Sequence, residues 1–490
     1  MTDKGAVDVK KVGNAIWKLI RRHLFLVIVL VLVLYQVIGM LAPFVSYAEV
    51  SDSFAESFDA DEVLASEESS DRAMILETNT SAWEERIRLL EMAEESIVYC
   101  THDLRDGEST RDLFAMFLAK ADEGVQVEII VDGLAAFLRM TGRPLYTALS
   151  SHPNIEIRVY NPIRIWMPWT YNGRLHEKYM IVDDTAYILG GRNTFDDFLG
   201  DYVTEGANYD REFLIYNEGG EEDSSLYDLR DYFESVWDLD VCFTYRDDES
   251  LSEKEAVAEQ IALLEERYET LQEENPELFE EYDYTEVTVE TEGVYLISGE
   301  TGIYEKEPQV FYQLVELMKE ADERIIINTP YAVLNDSMYE ALTQLCDGDV
   351  EVSMMLNSIE NGSNVVASSD YLKNQDQILD TGVTLYEYCG GNSYHGKSIV
   401  IDDDISIIGS FNFDLRSAYI DTELMLVVKS EEITQELTGY MEDLQDDSRL
   451  VLGDGEYETP EDLEVEELTT AKGILVNVLS VVMTPIRFLI

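Results

Sequence analysis

Apolar and polar positions follow two periods along this chain, and the order of the periods is repeated. From about residue 73, SAWEERIRLLEMAEE has apolar residues at helical spacing, and SIVYC is an apolar run of strand length. RDLFAMFLAKADEG then returns to helical spacing, and VQVEIIVDG reads as a buried strand. The second half repeats this order as QVFYQLVELMKEADE, RIIINTPY, SMYEALTQLCDGD and VEVSMMLN. Later in each half two short strands follow one another, KYMIVDD with AYILGG and KSIVIDD with SIIGS. Strands alternating with helices predict an α/β fold of mixed sheets flanked by helices, built twice.

One run breaks the pattern. Residues 24–45, LFLVIVLVLVLYQVIGMLAPFV, carry no charge and are long enough to cross a bilayer as a helix. Lys10, Lys11, Lys18, Arg21 and Arg22 precede it, whereas residues 49–72 are acidic and serine-rich. The positive-inside bias keeps the basic N-terminus (1–23) in the cytoplasm and places the folded region outside. A single-pass protein of the cell membrane is therefore expected. Ser46 and Ala48 also offer a signal-peptide cleavage site, but the length of the run favours an uncleaved transmembrane anchor.

The remaining segments follow from composition. Residues 46–72 read as a flexible acidic spacer, 73–246 as the first repeat and 289–452 as the second. Between them, 247–288 contains SEKEAVAEQIALLEERYETLQEE, whose sparse apolar positions predict a solvent-exposed linking helix. Residues 453–490 run from an acidic stretch into the apolar tail GILVNVLSVVMTPIRFLI, interrupted by Asn477, Pro485 and Arg487. That tail reads equally as a helix docked on the core or one lying on a membrane surface.

At 490 residues the chain exceeds what one core usually serves, in keeping with two core-bearing halves. Its 34 Lys+Arg against 100 Asp+Glu give a formal charge of −66. Such a surface repels polyanions, so nucleic acid is not an expected partner. Acidity of this kind suits solubility in a salty medium, where mobile cations screen repulsion from anionic lipid beyond about 10 Å. Cys100, Cys242, Cys346 and Cys389 form no C-x-x-C pair, so neither a zinc nor a redox site is implied. Cys389 lies six residues before His395.

The candidate chemistry lies in one sentence written twice: HEKYMIVDDTAYILGGRN at 176–193 and HGKSIVIDDDISIIGSFN at 395–412. In register, His176 matches His395, Lys178 matches Lys397, Asp183 matches Asp402, Gly190 matches Gly409 and Asn193 matches Asn412. Two of only five histidines open these motifs. A repeat that keeps reactive residues in register predicts two half-sites meeting at one active centre. The duplicated H-x-K-x4-D-x6-G-[GS]-x-N resembles the phospholipase D superfamily. GGRN, and GSFNFDLRS followed by DTEL, are similar to its bacterial cardiolipin synthase branch, and the resemblance covers roughly residues 73–450. It implies two tandem phospholipase D-like repeats sharing one active site, with phospholipid as substrate. The implied activity is phosphatidyl transfer between two phosphatidylglycerol molecules to give cardiolipin. Hydrolysis by the same residues is the alternative, and a nuclease is disfavoured by the charge.

Phosphodiester exchange needs a nucleophile, an acid for the departing alcohol, and positive charge around the phosphate. Two histidines across a phosphate supply the first two. One attacks phosphorus to give a phosphohistidine; the other protonates the leaving alkoxide and then activates the incoming hydroxyl. Lys178 and Lys397, two residues beyond their histidines, share the histidine's face of a strand. With Asn193 and Asn412 they would stabilise charge on the pentacoordinate phosphorus. No metal or cofactor is required. The resemblance implies His176 as nucleophile and His395 as acid/base. It also implies an acidic partner for each imidazole shortly after its motif: Glu423 in DTELML, and Asp210 in preference to Glu212 in NYDREF. Asp183 and Asp402 are expected to support local structure. His23, His102 and His152 have no comparable context and read as flank or loop residues. Trp166 and Trp169, in IWMPWTY, either line a lipid entrance or pack between the halves. Arg192 is a candidate for reading a second phosphate or head group, whereas Arg416 in FDLRS reads as structural.

Overall fold

The structure, a computed structural model, describes residues 14, 17–18, 21–65, 69–203 and 206–490. Lys10 and Lys11 of the basic flank lie outside the described residues.

Two nine-stranded mixed sheets carry the fold. Across the first, the strands run Val289–Glu290, Asp71–Leu76, Glu212–Asn217, Ala186–Gly190, Lys178–Val182, Ser96–Thr101, Gln126–Asp132, Ile155–Tyr160 and Cys242–Thr244. Across the second they run Gly293–Ser298, Leu424–Lys429, Ile405–Gly409, Ser398–Ile401, Arg324–Asn328, Glu351–Asn357, Thr384–Tyr388, Ser448–Gly453 and Glu456–Glu458. In both, three strands joined through helices are parallel, and the motif hairpin pairs antiparallel to the first of them. Helix boundaries follow local chemistry. Asn79–Met92 starts at a reciprocal cap between Thr78 and Ser81, and Glu108–Glu123 stops at Gly124, whose φ of +107° a side chain would resist.

Each sheet has one face covered by its own helices, giving a core in each half. A third core is shared: Val98, Tyr179, Ile181 and Tyr187 of the first half pack with Val400, Ile408, Leu424 and Leu426 of the second. The sheets thus meet through the strands that carry the motifs, which brings the two histidines to one seam.

Three segments depart from expectation. The acidic spacer is folded where it is described: Asp52–Ala55 and Ala60–Leu64 are helical, and Phe54 and Phe58 both set their rings edge-on to Tyr312. The paired aromatics outweigh the acidic composition around them. The linking helix, Glu255–Glu274, lies on the first half, with Val257, Leu264 and Leu271 buried in its core. Their seven-residue spacing makes a seam too narrow to register as an amphipathic face. Val289–Glu290 pairs with Arg72 and Ala73, so this strand belongs to the first sheet although it follows the linker.

The apolar helix Leu24–Leu41 continues as a short turn to Phe44, and this span has mean hydropathy 2.9; no residue of the helix is buried, whereas Phe44 packs into the core of the second half. Its last turns touch the aromatic segment before the first motif: Tyr35 Oη donates to the Trp166 carbonyl at 2.6 Å, Gln36 Nε2 to Ile165 O at 2.7 Å, and the Asn172 amide to Met40 O at 2.8 Å. Trp169 meets the Tyr35 ring edge-on, and Trp166 is 75% exposed. Both tryptophans therefore lie against the helix end, not between the halves. At the other terminus, Thr470–Val482 packs on Val365–Leu379 and buries Val476, while Ile474, Leu475, Val478, Val481 and Val482 stay exposed.

Candidate active site

Each motif histidine precedes the strand that opens its hairpin, Lys178–Val182 or Ser398–Ile401. At the far end of these strands, Asp183 and Asp402 turn the chain with φ of +46° and +50°. Asp183 accepts the N–H groups of Glu94, Glu95 and Ser96 at 2.7, 2.8 and 2.6 Å. Asp402 accepts those of Asp322, Glu323 and Arg324 at 2.8, 2.8 and 2.9 Å. The motif aspartates thus fasten each hairpin to the start of the neighbouring strand, remote from the histidines. The motif glycines answer to crowding: a Cβ on Gly190 would sit 2.4 Å from Glu212 Cγ, and one on Gly409 2.2 Å from Leu424 O.

The two halves exchange their acids. His176 Nδ1 lies 2.8 Å from Glu423 Oε1 of the second half, and His395 Nδ1 lies 2.6 Å from Asp210 Oδ2 of the first. The backbone makes the same exchange. Leu175 bridges Thr422 and His176 N–H donates to Thr422 O at 3.3 Å, while Ser393–Tyr394 pairs with Asn208–Tyr209 and His395 N–H donates to Tyr209 O at 2.6 Å. Holding Nδ1 leaves Nε2 of His176 for chemistry, while Nε2 of His395 has Lys397 Nζ at 3.3 Å. Glu212, the other acid weighed for the first half, is not at a histidine; it forms a buried two-pronged pair with Arg86 at 2.7 Å on both prongs.

Lys178 donates to the carbonyl of His176 and Lys397 to that of His395; Lys397 Nζ also lies 2.8 Å from the His395 ring. Asn193 Oδ1 accepts the Asp103 N–H at 3.1 Å, which leaves its NH2 group for the site. Asn412 is 2% exposed and packed by Ser417, and its Oδ1 has no partner among the described residues. His176, His395, Lys178, Lys397, Asp210 and Glu423 are therefore brought together at the seam, while Asn412 reaches it only through Ser417, which donates to Glu423 Oε1 at 2.6 Å, and Asn193 only through the backbone of Asp103, next to His102.

Burial sets the electrostatics. It lowers His176 well below the ordinary histidine value, helped by the Lys178 charge. Burial and the Lys397 charge bring His395 down to about 4. Burial also lowers Lys178, and lowers Lys397 to about 7. The two acids diverge. Burial raises Glu423 well above the carboxylate range, whereas at Asp210 the Lys397 charge and the His395 hydrogen bond overcome burial and hold the carboxyl down.

Two other expectations change. Arg192 does not face a ligand: it is 1% exposed and donates to the carbonyls of Leu76 and Glu77 at 2.9 Å and to that of Asp210. Its donors match the backbone carbonyls gathered where the strand Asp71–Leu76 ends and before the strand Glu212–Asn217 begins, a demand a flanking-residue reading does not register. His102, read as a loop residue, sets its ring edge-on to His176 at 4.9 Å between centroids, with Nδ1 2.6 Å from Leu175 O. Its position directly after Ser96–Thr101, the strand of the first sheet that pairs with the motif hairpin, was the available signal. Arg416 binds Asp421 at 2.8 Å and the Asn172 carbonyl at 2.8 Å, and Cys389 is buried with Sγ on Glu387 O. Among the described residues no cluster of His, Cys, Asp and Glu has the arrangement of a metal site.

The family model described as "Cardiolipin synthase, PLD-like domain" matches residues 87–237 and 314–445, more than half of the chain. The chain belongs to the phospholipase D superfamily. Within this superfamily it is 28% identical over 403 residues to cardiolipin synthase C of Escherichia coli (strain K12), spanning 74% of this chain and 82% of that protein. It is 24% identical over 368 residues to a cardiolipin synthase of Alkalihalophilus pseudofirmus, spanning 74% and 64%. The crystal structure of phosphatidylserine synthase from Haemophilus influenzae Rd KW20 matches with TM-score 0.59 at 13% identity, covering 85% of this chain and 95% of that one. That last likeness is one of fold.

Proposed function

We propose that this phospholipase D-family enzyme is a membrane-anchored phosphatidyltransferase that makes cardiolipin from phosphatidylglycerol through a phosphohistidine. The observation that carries the reading is the crossed pair of imidazoles, each held at Nδ1 by a carboxylate of the opposite half and flanked by a lysine. The cardiolipin synthases among its relatives supply the substrate class.

In this scheme His176 Nε2 attacks the phosphorus of one phosphatidylglycerol, and the bond from phosphorus to the glycerol oxygen breaks. The negative charge of the bound phosphodiester favours the imidazolium form of His395, which gives its proton to that oxygen, and glycerol leaves. His395 then takes the proton from a head-group hydroxyl of a second phosphatidylglycerol, whose oxygen attacks phosphorus. The P–N bond breaks, cardiolipin forms and His176 is restored. Lys178, Lys397 and Asn193 stabilise the charge that builds on the equatorial oxygens. A neutral His176, favoured by its burial, is the form that attacks. Anchoring by Leu24–Phe44, with its basic flank in the cytoplasm, puts the active centre on the extracytoplasmic side of the cell membrane.

The test is the purified full chain in detergent with phosphatidylglycerol as sole lipid, with products read by mass spectrometry beside His176→Ala. Cardiolipin and glycerol, both lost in the variant, are expected. Phosphatidic acid as the only product would make the protein a hydrolase, and no turnover of phosphatidylglycerol would overturn the reading.

A further inference from the structure

The two half-sites differ most in what lies beside the histidines. Next to His395 opens a cavity of about 240 Å³, walled by Tyr331, Asn357, Ser363, Asn364 and Ser393 among others. It is smaller than the ~300–1,000 Å³ pockets that enclose drug-sized ligands, so it suits a head group and not an acyl chain. Its walls offer hydroxyls and carboxamides, and among the described residues no Asp, Glu, Lys or Arg lines it. In a chain with 100 acidic residues, the described walls give an ammonium group no carboxylate counter-ion. A carboxylate would equally lack a cation. A neutral group rich in hydroxyls finds donors and acceptors throughout.

Asn357 builds this wall. Its amide donates to Pro330 O at 2.8 Å and Tyr394 O at 2.7 Å, and its Oδ1 accepts the Tyr394 N–H at 2.8 Å, pinning the two sides of the opening. The first half has Asp132 at the same place, the last residue of the corresponding strand. There the carboxylate accepts the Leu175 N–H at 3.1 Å and faces Arg174 at 3.5 Å, with both side chains buried. The equivalent corner beside His176 thus holds a buried ion pair, while the described walls beside His395 are neutral and line a cavity.

In-line displacement at phosphorus sets the nucleophile and the exchanged alcohol on opposite sides. With His395 as acid and then base, the alcohol side is its side. We infer that the cavity beside His395 is the alcohol subsite, built for a neutral polyol head group and used twice, first by the departing glycerol and then by the glycerol of the accepting lipid. This inference rests on the transferase reading proposed above.

The experiment offers the purified full chain phosphatidylglycerol with deuterated glycerol and ethanolamine together at equal concentration. The ratio of labelled phosphatidylglycerol to phosphatidylethanolamine is read by mass spectrometry. This ratio reports acceptor choice whatever the rate at which the intermediate forms. Glycerol is expected to win in the parent protein. Ser363→Asp and Asn364→Asp should each shift the ratio about fivefold towards ethanolamine, as one partly exposed ion pair would. Both positions are exposed, and aspartate at 364 can still cap the helix Val365–Leu379, where Asn364 now accepts the Ala367 N–H at 3.2 Å. Equal use of the two alcohols by the parent, or a ratio unchanged in both variants while transfer continues, would overturn the subsite alone. Phosphatidic acid as the only product in every case would overturn the subsite and the transferase reading together.

Discussion

The half-sites at His176 and His395 have nearly the same sequence and different surroundings. Each histidine has a carboxylate from the other half at Nδ1, a lysine two residues on and an anchored hairpin behind it. Beyond that frame they part. His176 has His102 edge-on and a buried glutamate whose carboxyl burial pushes up. His395 has Phe198 edge-on at 5.1 Å, an aspartate held down by Lys397, and the neutral cavity. A duplicated motif gives two chemically equal groups. Their neighbours, which are not duplicated, fit the unequal tasks proposed for the two groups.

The largest test of that inequality exchanges each acid for its amide. On the proposed mechanism Asp210→Asn removes the charge that supports His395 as acid and base, and transfer should fall by about 10²–10⁴-fold, the range for losing general acid–base catalysis. Glu423→Gln replaces a carboxyl already pushed towards its neutral form, so a loss under about tenfold is expected in the same product assay. Equal losses would erase the distinction between the half-sites.

A second test separates Asp210 from its near neighbour. Glu212→Ala strands Arg86 without its buried partner, which should cost about 3–5 kcal/mol in denaturant unfolding. Asp210→Asn should cost less in stability than Glu212→Ala while costing far more in activity. A smaller effect concerns Lys397. With its amine at about 7 it gains charge as pH falls through neutrality, so binding of sulfate should tighten by up to about tenfold between pH 8 and pH 6. Sulfate stays a dianion across that window, so the protein supplies the titration. Titration calorimetry on Lys397→Met should show this dependence flattened; an unchanged slope would assign it to another group.

The sequence made much of this centre legible because its chemistry is written at short spacing. His-x-Lys on one strand face, the turn aspartate and the downstream asparagine all lie within eighteen residues. The α/β order of each half was equally readable from period alone. Which acid serves which histidine was not, since His176 and Glu423 are 247 residues apart and His395 and Asp210 are 185 apart. Only the contact between the sheets decides that exchange. Composition also misled where few apolar residues were enough to dock an acidic stretch: Phe54 and Phe58 hold part of the spacer, and Val257, Leu264 and Leu271 hold the linking helix. The neutral corner at Asn357 against the charged one at Asp132 is visible as a single letter, but its consequence depends on what each side chain pins.

The most direct measurement maps the covalent intermediate. His395→Ala and His176→Ala are each given phosphatidylglycerol and stopped in alkaline denaturant, and their peptides are searched by mass spectrometry for a phosphatidyl-histidine. Unequal half-sites predict the adduct on His176 in the His395→Ala protein and none on His395 in the His176→Ala protein. An adduct on His395, with none on His176, would contradict the assignment and reverse the roles of the two halves.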